Sequence, residues 1–202
     1  MLVEQGILTK EQGGKILAAL LEIDADMDLN ALQYTGEVED YFFHVEAELI
    51  KKVGVDLAGR LHTGRSRNDI DHTIFKMRLM DLSAVLITDL NQLIATLLQT
   101  AEAGKETIVL AYTHGQPAQP TTWGHYLGAF IEILQRDVAR ITLGLHTARL
   151  CSMGAAAITT TGFDINRERM AELLGFAAPL ENSYGCISSI DYITGLYSAL
   201  KV

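Results

Sequence analysis

Residues 70–103, IDHTIFKMRLMDLSAVLITDLNQLIATLLQTAEA, run without a proline or a glycine. Leu79, Leu82, Leu86, Leu90, Leu93 and Leu97 recur at spacings of three and four, close to a heptad seam on one face of an α-helix. Ile87, Ile94 and Leu98 widen that stripe, which predicts a helix buried more deeply than a surface helix. Its 34 residues are roughly three times the mean globular helix. Such length implies a helix bundle, with helices shared between subunits.

Outward from this run the same period returns. A second long helix is expected over Thr121–Leu150, with Trp123, Leu127, Phe130, Leu134, Val138, Ile141 and Leu145 as its seam. Between the two, Pro117 and Pro120 interrupt the pattern with no alternation long enough for a strand. Toward the N-terminus, Leu2–Ile23 reads as a helix pair or a kinked helix, with Thr9 as cap and Gln12 at the capping-box position. Asp24–Leu29 is an acidic connection, and Glu37-Val38-Glu39-Asp40 opens a helix that Gly54 ends. Gly154–Phe163 is a small-residue loop, and Ile165–Leu174 a short helix capped by Asn166 and closed by Gly175. A last helix is under way over Ile187–Val202. The fold class is all-α, with an N-terminal helical region over 1–60 and a long-helix bundle over 61–202.

Bulk properties narrow the function. With 49% apolar and 20% charged residues the chain is globular, not disordered. A net charge of −9 without a basic stripe argues against nucleic acid. Cys151 and Cys186 are too few for a disulfide framework and point to a reducing compartment. The start, Met-Leu-Val-Glu-Gln-Gly, is unlike a signal peptide, and no uncharged run is apolar enough to span a bilayer, so no membrane partner is expected. The reading is a soluble, cytoplasmic protein.

Two stretches carry chemistry. Gly59-Arg60-Leu61-His62-Thr63-Gly64-Arg65-Ser66-Arg67-Asn68-Asp69 packs donors just ahead of the long helix. Ser66, Asn68 and Asp69 are candidate caps there, and a helix N-terminus with arginines favours a small anion, above all a carboxylate. Taken alone, the same loop also reads as a solvated turn whose arginines pair with acids. A P-loop is a poor alternative because no Gly-Lys-Ser/Thr follows the glycines. The second stretch, Tyr112-Thr113-His114-Gly115-Gln116-Pro117-Ala118-Gln119-Pro120, places a hydroxyl, an imidazole and two amides on a proline-stiffened connection. His44, His72, His125 and His146 read as structural residues, and no short-spaced His/Cys pair indicates a metal.

Together, and in this order, the two motifs resemble the first two signature regions of argininosuccinate lyase, of the fumarase/aspartase superfamily. The resemblance extends to Trp123-Gly124-His125, Gly162-Phe163 and Asn182-Ser183. It implies an all-α homotetramer with a shared helix bundle and active sites built from three subunits. The implied reaction, in arginine biosynthesis, is β-elimination of argininosuccinate, a small dicarboxylate substrate, to fumarate and arginine, with neither cofactor nor metal. By the same resemblance Ser66, Arg67 and Asn68 hold the succinyl part, Thr113 binds a carboxylate, Gln116 contacts substrate, and His114 takes part in proton transfer. The third signature, a glycine-serine loop ending Met-Pro-x-Lys-x-Asn with the catalytic serine, does not occur in this sequence, nor does the family's N-terminal segment. The chain is therefore expected to be a central piece of the enzyme and inactive alone. Phe42 and Ile190 stand where the family tends to carry histidine and arginine, which brings in the first of two alternatives; the second rests on the absent serine loop. One is a lyase for another N-substituted aspartate, such as a diamine-linked disuccinate. The other is a catalytically silent, crystallin-like relative.

Overall fold

Thr9 starts the first helix, α1 (Lys10–Asp26), through a reciprocal pair of bonds. Its hydroxyl accepts the Gln12 N–H at 3.2 Å, and the Gln12 side chain accepts the Thr9 N–H at 2.9 Å. The computed structural model describes residues 1–28 and 31–201. The expected connection at Asp24–Leu29 and the expected last helix each run into residues outside that set, Leu29 and Val202 respectively.

Helix α2 (Tyr41–Val53) begins four residues later than the acidic run Glu37–Asp40 predicts. The Asp40 carboxylate is its cap, accepting the Phe42 N–H at 2.8 Å and the Phe43 N–H at 3.4 Å, so the preceding acids stay outside the helix. Gly54 ends α2 at φ 84°, a conformation that favours glycine, and α3 (Val55–Arg60) follows. Ala19, Ile23, Leu49 and Ala58 of these three helices form one buried cluster, with Leu20, Val45, Val53 and Leu61 against it. Burying Leu49 contributes about 1.5–3 kcal/mol.

The decisive helix, α4, spans Arg67–Ala103, 37 residues. Its inward line is Thr73, Lys76, Met80, Ser83, Ile87, Leu90, Ile94 and Leu97, again in threes and fours. Leu82 and Leu93 of the predicted seam face outward instead. The first turn expected at Ile70 begins at Arg67 because Ser66 and Asp69 cap it.

The proline-containing connection is not irregular. Strands β1 (Ile108–Thr113) and β2 (Gln116–Thr122) pair antiparallel, with Thr113 opposite Gln116 and Ile108 opposite Thr122. A register shift between Leu110 and Tyr112 takes up one extra residue on β2. Thr122 then caps α5 (Trp123–Gly144) by accepting the His125 N–H. The helix expected to reach Leu150 stops at Gly144, and a 3₁₀ turn at Thr147–Arg149 follows. Two-residue strands β3 (Leu150–Cys151) and β4 (Ala178–Pro179) pair around α6 (Arg167–Leu173), which Asn166 caps through the Arg169 N–H. The last predicted helix is two, α7 (Gly185–Ser188) and α8 (Asp191–Leu200), because Ser189 bonds both the carboxylate and the N–H of Asp191.

Contacts group the described chain into two compact units, Met1–His72 with Cys151–Ile187, and Thr73–Leu150 with Ser188–Val202. These cuts differ from a single boundary after residue 60. The core of the second unit gathers Ile141, Leu145, Ala148, Tyr192 and Leu196, with Leu79, Leu86 and Leu90 of α4 packed on it. The fold is all-α; among the described residues strands are confined to the hairpin and the short β3–β4 pair.

Among the described residues α4 alone is long and apolar enough to cross a membrane by length and composition. Uncharged runs did not reveal this, because a single charge, Asp89, interrupts Leu82–Leu98.

Candidate functional site: a capped anion cluster and a hairpin turn

Successive tight turns carry the chain from α3 to α4: His62 N–H bonds Gly59 C=O, Thr63 bonds Arg60 and Arg65 bonds His62. Gly64 sits at φ +71°, and a Cβ there would come within 3.0 Å of Ile165 and 3.1 Å of Thr161. The backbone angle favours glycine, and the close side chains leave little room for anything larger. At the start of α4 the Ser66 hydroxyl accepts the Asn68 N–H at 3.3 Å, while Asp69 Oδ1 accepts the Ser66 N–H at 2.8 Å. Ser66 and Asp69 thus share the capping work that the sequence left open among three residues.

Asp69 does more than cap. Its other oxygen accepts the N–H groups of Gly154 and Ala156, both at 2.9 Å, and the residue is fully buried. Burial pushes its carboxyl above the usual range; the three N–H groups and the Arg65 charge oppose that rise. Asn68 Nδ2 donates to Ala157 C=O at 3.0 Å, so the same small-residue loop touches two neighbours of the cluster.

The arginines differ. Arg65 donates to Leu61 C=O, and its Nε is buried without an acceptor among the described residues. Burial lowers its pKa, with Asp69 opposing. Arg67 pairs with Asp40 through Nη2 and with Asp71 through Nη1, the latter at 2.9 Å. Its guanidinium lies 4.5 Å from the centre of the Phe42 ring, a cation–π arrangement. His62, edge-on to Phe42 at 5.0 Å, bonds Glu46 at 2.9 Å. Burial, then the Arg65 charge, holds its pKa below the ordinary value, against Glu46. Asp40 also lines a cleft of about 270 Å³ with Tyr34, Glu37, Tyr41 and His44. The sequence did not reveal the partners of Arg67, which stand 27 residues before it and one helical turn after it.

Thr113, His114 and Gln116 lie together in the second unit, exposed at the tip of the β1–β2 hairpin. His114 at φ 49° and Gly115 at φ 74° form its two-residue turn; positive φ at both is the type I′ geometry that matches strand twist. The base is clamped by Trp123 N–H to Thr107 C=O at 2.9 Å and Gly124 N–H to Gly104 C=O at 3.2 Å. Ser66, Arg67 and Asn68 are likewise brought together, but in the first unit. Among the described residues no three His, Cys, Asp or Glu side chains group as metal ligands.

The profile of the lyase family matches residues 1–202. This chain belongs to the lyase family. A lyase-family relative, argininosuccinate lyase 2 of Agrobacterium fabrum, is 56% identical over 202 residues, all of this chain and 40% of that protein. A solved EDDS lyase variant with bound fumarate superimposes with a TM-score of 0.88 at 33% identity, covering 98% of this chain and 39% of that one. A class II fumarase from Schistosoma mansoni shares the fold at 18% identity, with a TM-score of 0.74 over 98% of this chain and 50% of its own. The architecture is thus the helical bundle of the fumarase/aspartase superfamily. The chain spans about two fifths of the length of the argininosuccinate lyase and EDDS lyase relatives.

Proposed function

We propose that this lyase-family chain is part of a carbon–nitrogen lyase of argininosuccinate lyase type. Such an enzyme eliminates argininosuccinate to fumarate and arginine, as a soluble, cytoplasmic homo-oligomer. The carrying observation is 56% identity with an argininosuccinate lyase along the full 202 residues, both clusters included. Elimination removes a weakly acidic proton beside a carboxylate, builds charge on that carboxylate, and expels a nitrogen that must be protonated. Preorganised donors lower the barrier most when aimed at the developing charge. Ser66, Asn68 and Arg67 at the head of α4 supply donors for the succinyl part; Thr113 and Gln116 add a hydroxyl and an amide beside His114. His114 acts in proton transfer. Asp40, Glu37 and the tyrosines of their cleft suit a cationic leaving group.

A second reading is kept because of Phe42. Where an imidazole would offer hydrogen bonds, its ring offers only a face to Arg67, and the likeness to an EDDS lyase points the same way. On that reading the substrate is another N-substituted aspartate, such as a diamine-linked disuccinate. Fumarate release, followed by ultraviolet absorbance with the complete protein, decides between them. Higher kcat/KM on argininosuccinate supports the first reading, and preference for the disuccinate supports the second. Release from neither ends the lyase proposal. The 202-residue chain alone is expected not to turn over.

A further inference from the structure

Asp69 is a charged side chain with no exposure to water, and an unpaired buried carboxylate is strongly unfavourable. A capping role alone would occupy one oxygen, the one that takes the Ser66 N–H. The second oxygen reaches across the fold to Gly154 and Ala156, 85 and 87 residues further along the chain. Those residues lie in a loop that does not rest in ordinary backbone geometry. Gly154 is at φ +92°, and Ala156 and Thr160, which carry side chains, are at φ 53° and 66°. Left-handed backbone at residues other than glycine persists where surrounding bonds over-determine it. The bond from Ala156 N–H to Asp69 is one such bond. Immediately beyond, Ala157 C=O accepts the Asn68 amide at 3.0 Å. The connection is closed: carboxylate to loop, loop to carboxamide, carboxamide back to the helix that carries the carboxylate.

We propose that Asp69 is the positioning residue of the anion cluster: it fastens the Gly154–Ala157 loop to the first turn of α4 and so sets the Ser66 hydroxyl and the Asn68 amide where a substrate carboxylate meets them. This rests on the lyase reading above and adds to it a residue that does not touch substrate. Asn68 remains exposed and spends one amide N–H on Ala157, which leaves its second N–H to give. Without the loop that carboxamide has no fixed rotamer.

The test is Asp69→Asn in the complete protein, beside Asn68→Ala and Ser66→Ala. The asparagine keeps size and one acceptor oxygen, but turns an NH₂ toward backbone N–H donors. The fumarate Kd and the substrate KM are expected to rise about tenfold or more, with kcat falling less than about threefold and with circular dichroism and sedimentation unchanged. A folded Asp69→Asn protein with wild-type fumarate affinity, while Asn68→Ala weakens it, overturns the positioning role and leaves the lyase reading intact. Unchanged affinity in both Asn68→Ala and Ser66→Ala removes the anion site itself, and the inference with it. Should Asp69→Asn not fold, hydrogen exchange on the wild-type protein decides. Fumarate slowing exchange in 152–158 together with 66–70 supports the coupling, and slowing in 66–70 alone refutes it.

Discussion

Arg67 is one cation set between two anions, Asp40 and Asp71, with its face on Phe42. A substrate carboxylate competes with those two for the same N–H groups, so Arg67→Ala has a double effect. It removes a partner and leaves two carboxylates to repel a dianion. The expected result is a fumarate Kd raised by about tenfold or more, with KM affected more than kcat. Adding Asp71→Asn should restore part of the loss; wild-type Kd in Arg67→Ala would remove this arginine from the site. His114 calls for a different substitution. Its φ of 49° is shared with the turn, so alanine would change the backbone preference as well as the chemistry. Asparagine tolerates that region and lacks the imidazole. His114→Asn is therefore expected to lower kcat about 10²–10⁴-fold with little change in fumarate affinity. Turnover within about threefold of wild type would take the imidazole out of proton transfer. Both residues stood out in the sequence by their neighbours along the chain. Their spatial partners did not, because Asp40 reaches Arg67 only after α2 and α4 have packed.

Elements were legible where local rules govern them and obscure where they do not. Thr9, Asn166 and Gly54 marked helix ends because caps and left-handed glycines act within three residues of chain. The hairpin was missed for a physical reason: most of β1 and all of β2 up to Pro120 remain exposed, so no buried face imposes an alternation to read. Two prolines in β2 further disguise it. Its position depends on glycines instead. A Cβ on Gly124 would lie 2.7 Å from Ala101 C=O and 2.9 Å from Lys105 Cα, so the end of α4 and the start of α5 meet backbone to backbone there. Neither neighbour is the tip of a flexible side chain, and relief requires a shift of main chain. Gly124→Ala is expected to destabilise the protein by about 1–3 kcal/mol, measured by chemical denaturation. Because the hairpin springs from this crossing, it should also raise hydrogen exchange in 107–122. A variant as stable as wild type would show that the helices can part there without loss.

At the scale of the whole molecule, α4 has more apolar surface than its own chain covers. The inward line includes Thr73, Lys76 and Ser83, with the lysine ammonium 2.9 Å from Leu150 C=O and 5.0 Å from the centre of the Tyr192 ring. Facing away are Phe75, Leu82, Val85 and Leu93, of which Leu82 is 50%, Val85 60% and Leu93 47% exposed. On α5, Trp123, Tyr126, Phe130 and Ile133 are exposed as well. A helix apolar on opposite faces belongs inside something, either a bundle or a bilayer. By length and composition α4 fits both. Two observations favour the bundle: the family fold is a helix bundle, and α5 carries an exposed apolar stripe of its own. The expected state is therefore a homo-oligomer, with the outer faces of α4 and α5 at the subunit contacts. Sedimentation at low micromolar concentration without detergent should show a species larger than one chain. Leu82→Lys with Val85→Lys should return it to a folded monomer, since neither side chain is needed inside the chain itself. A folded monomer before substitution would exclude association through these faces, and a double variant that sediments like its parent would move the contact elsewhere.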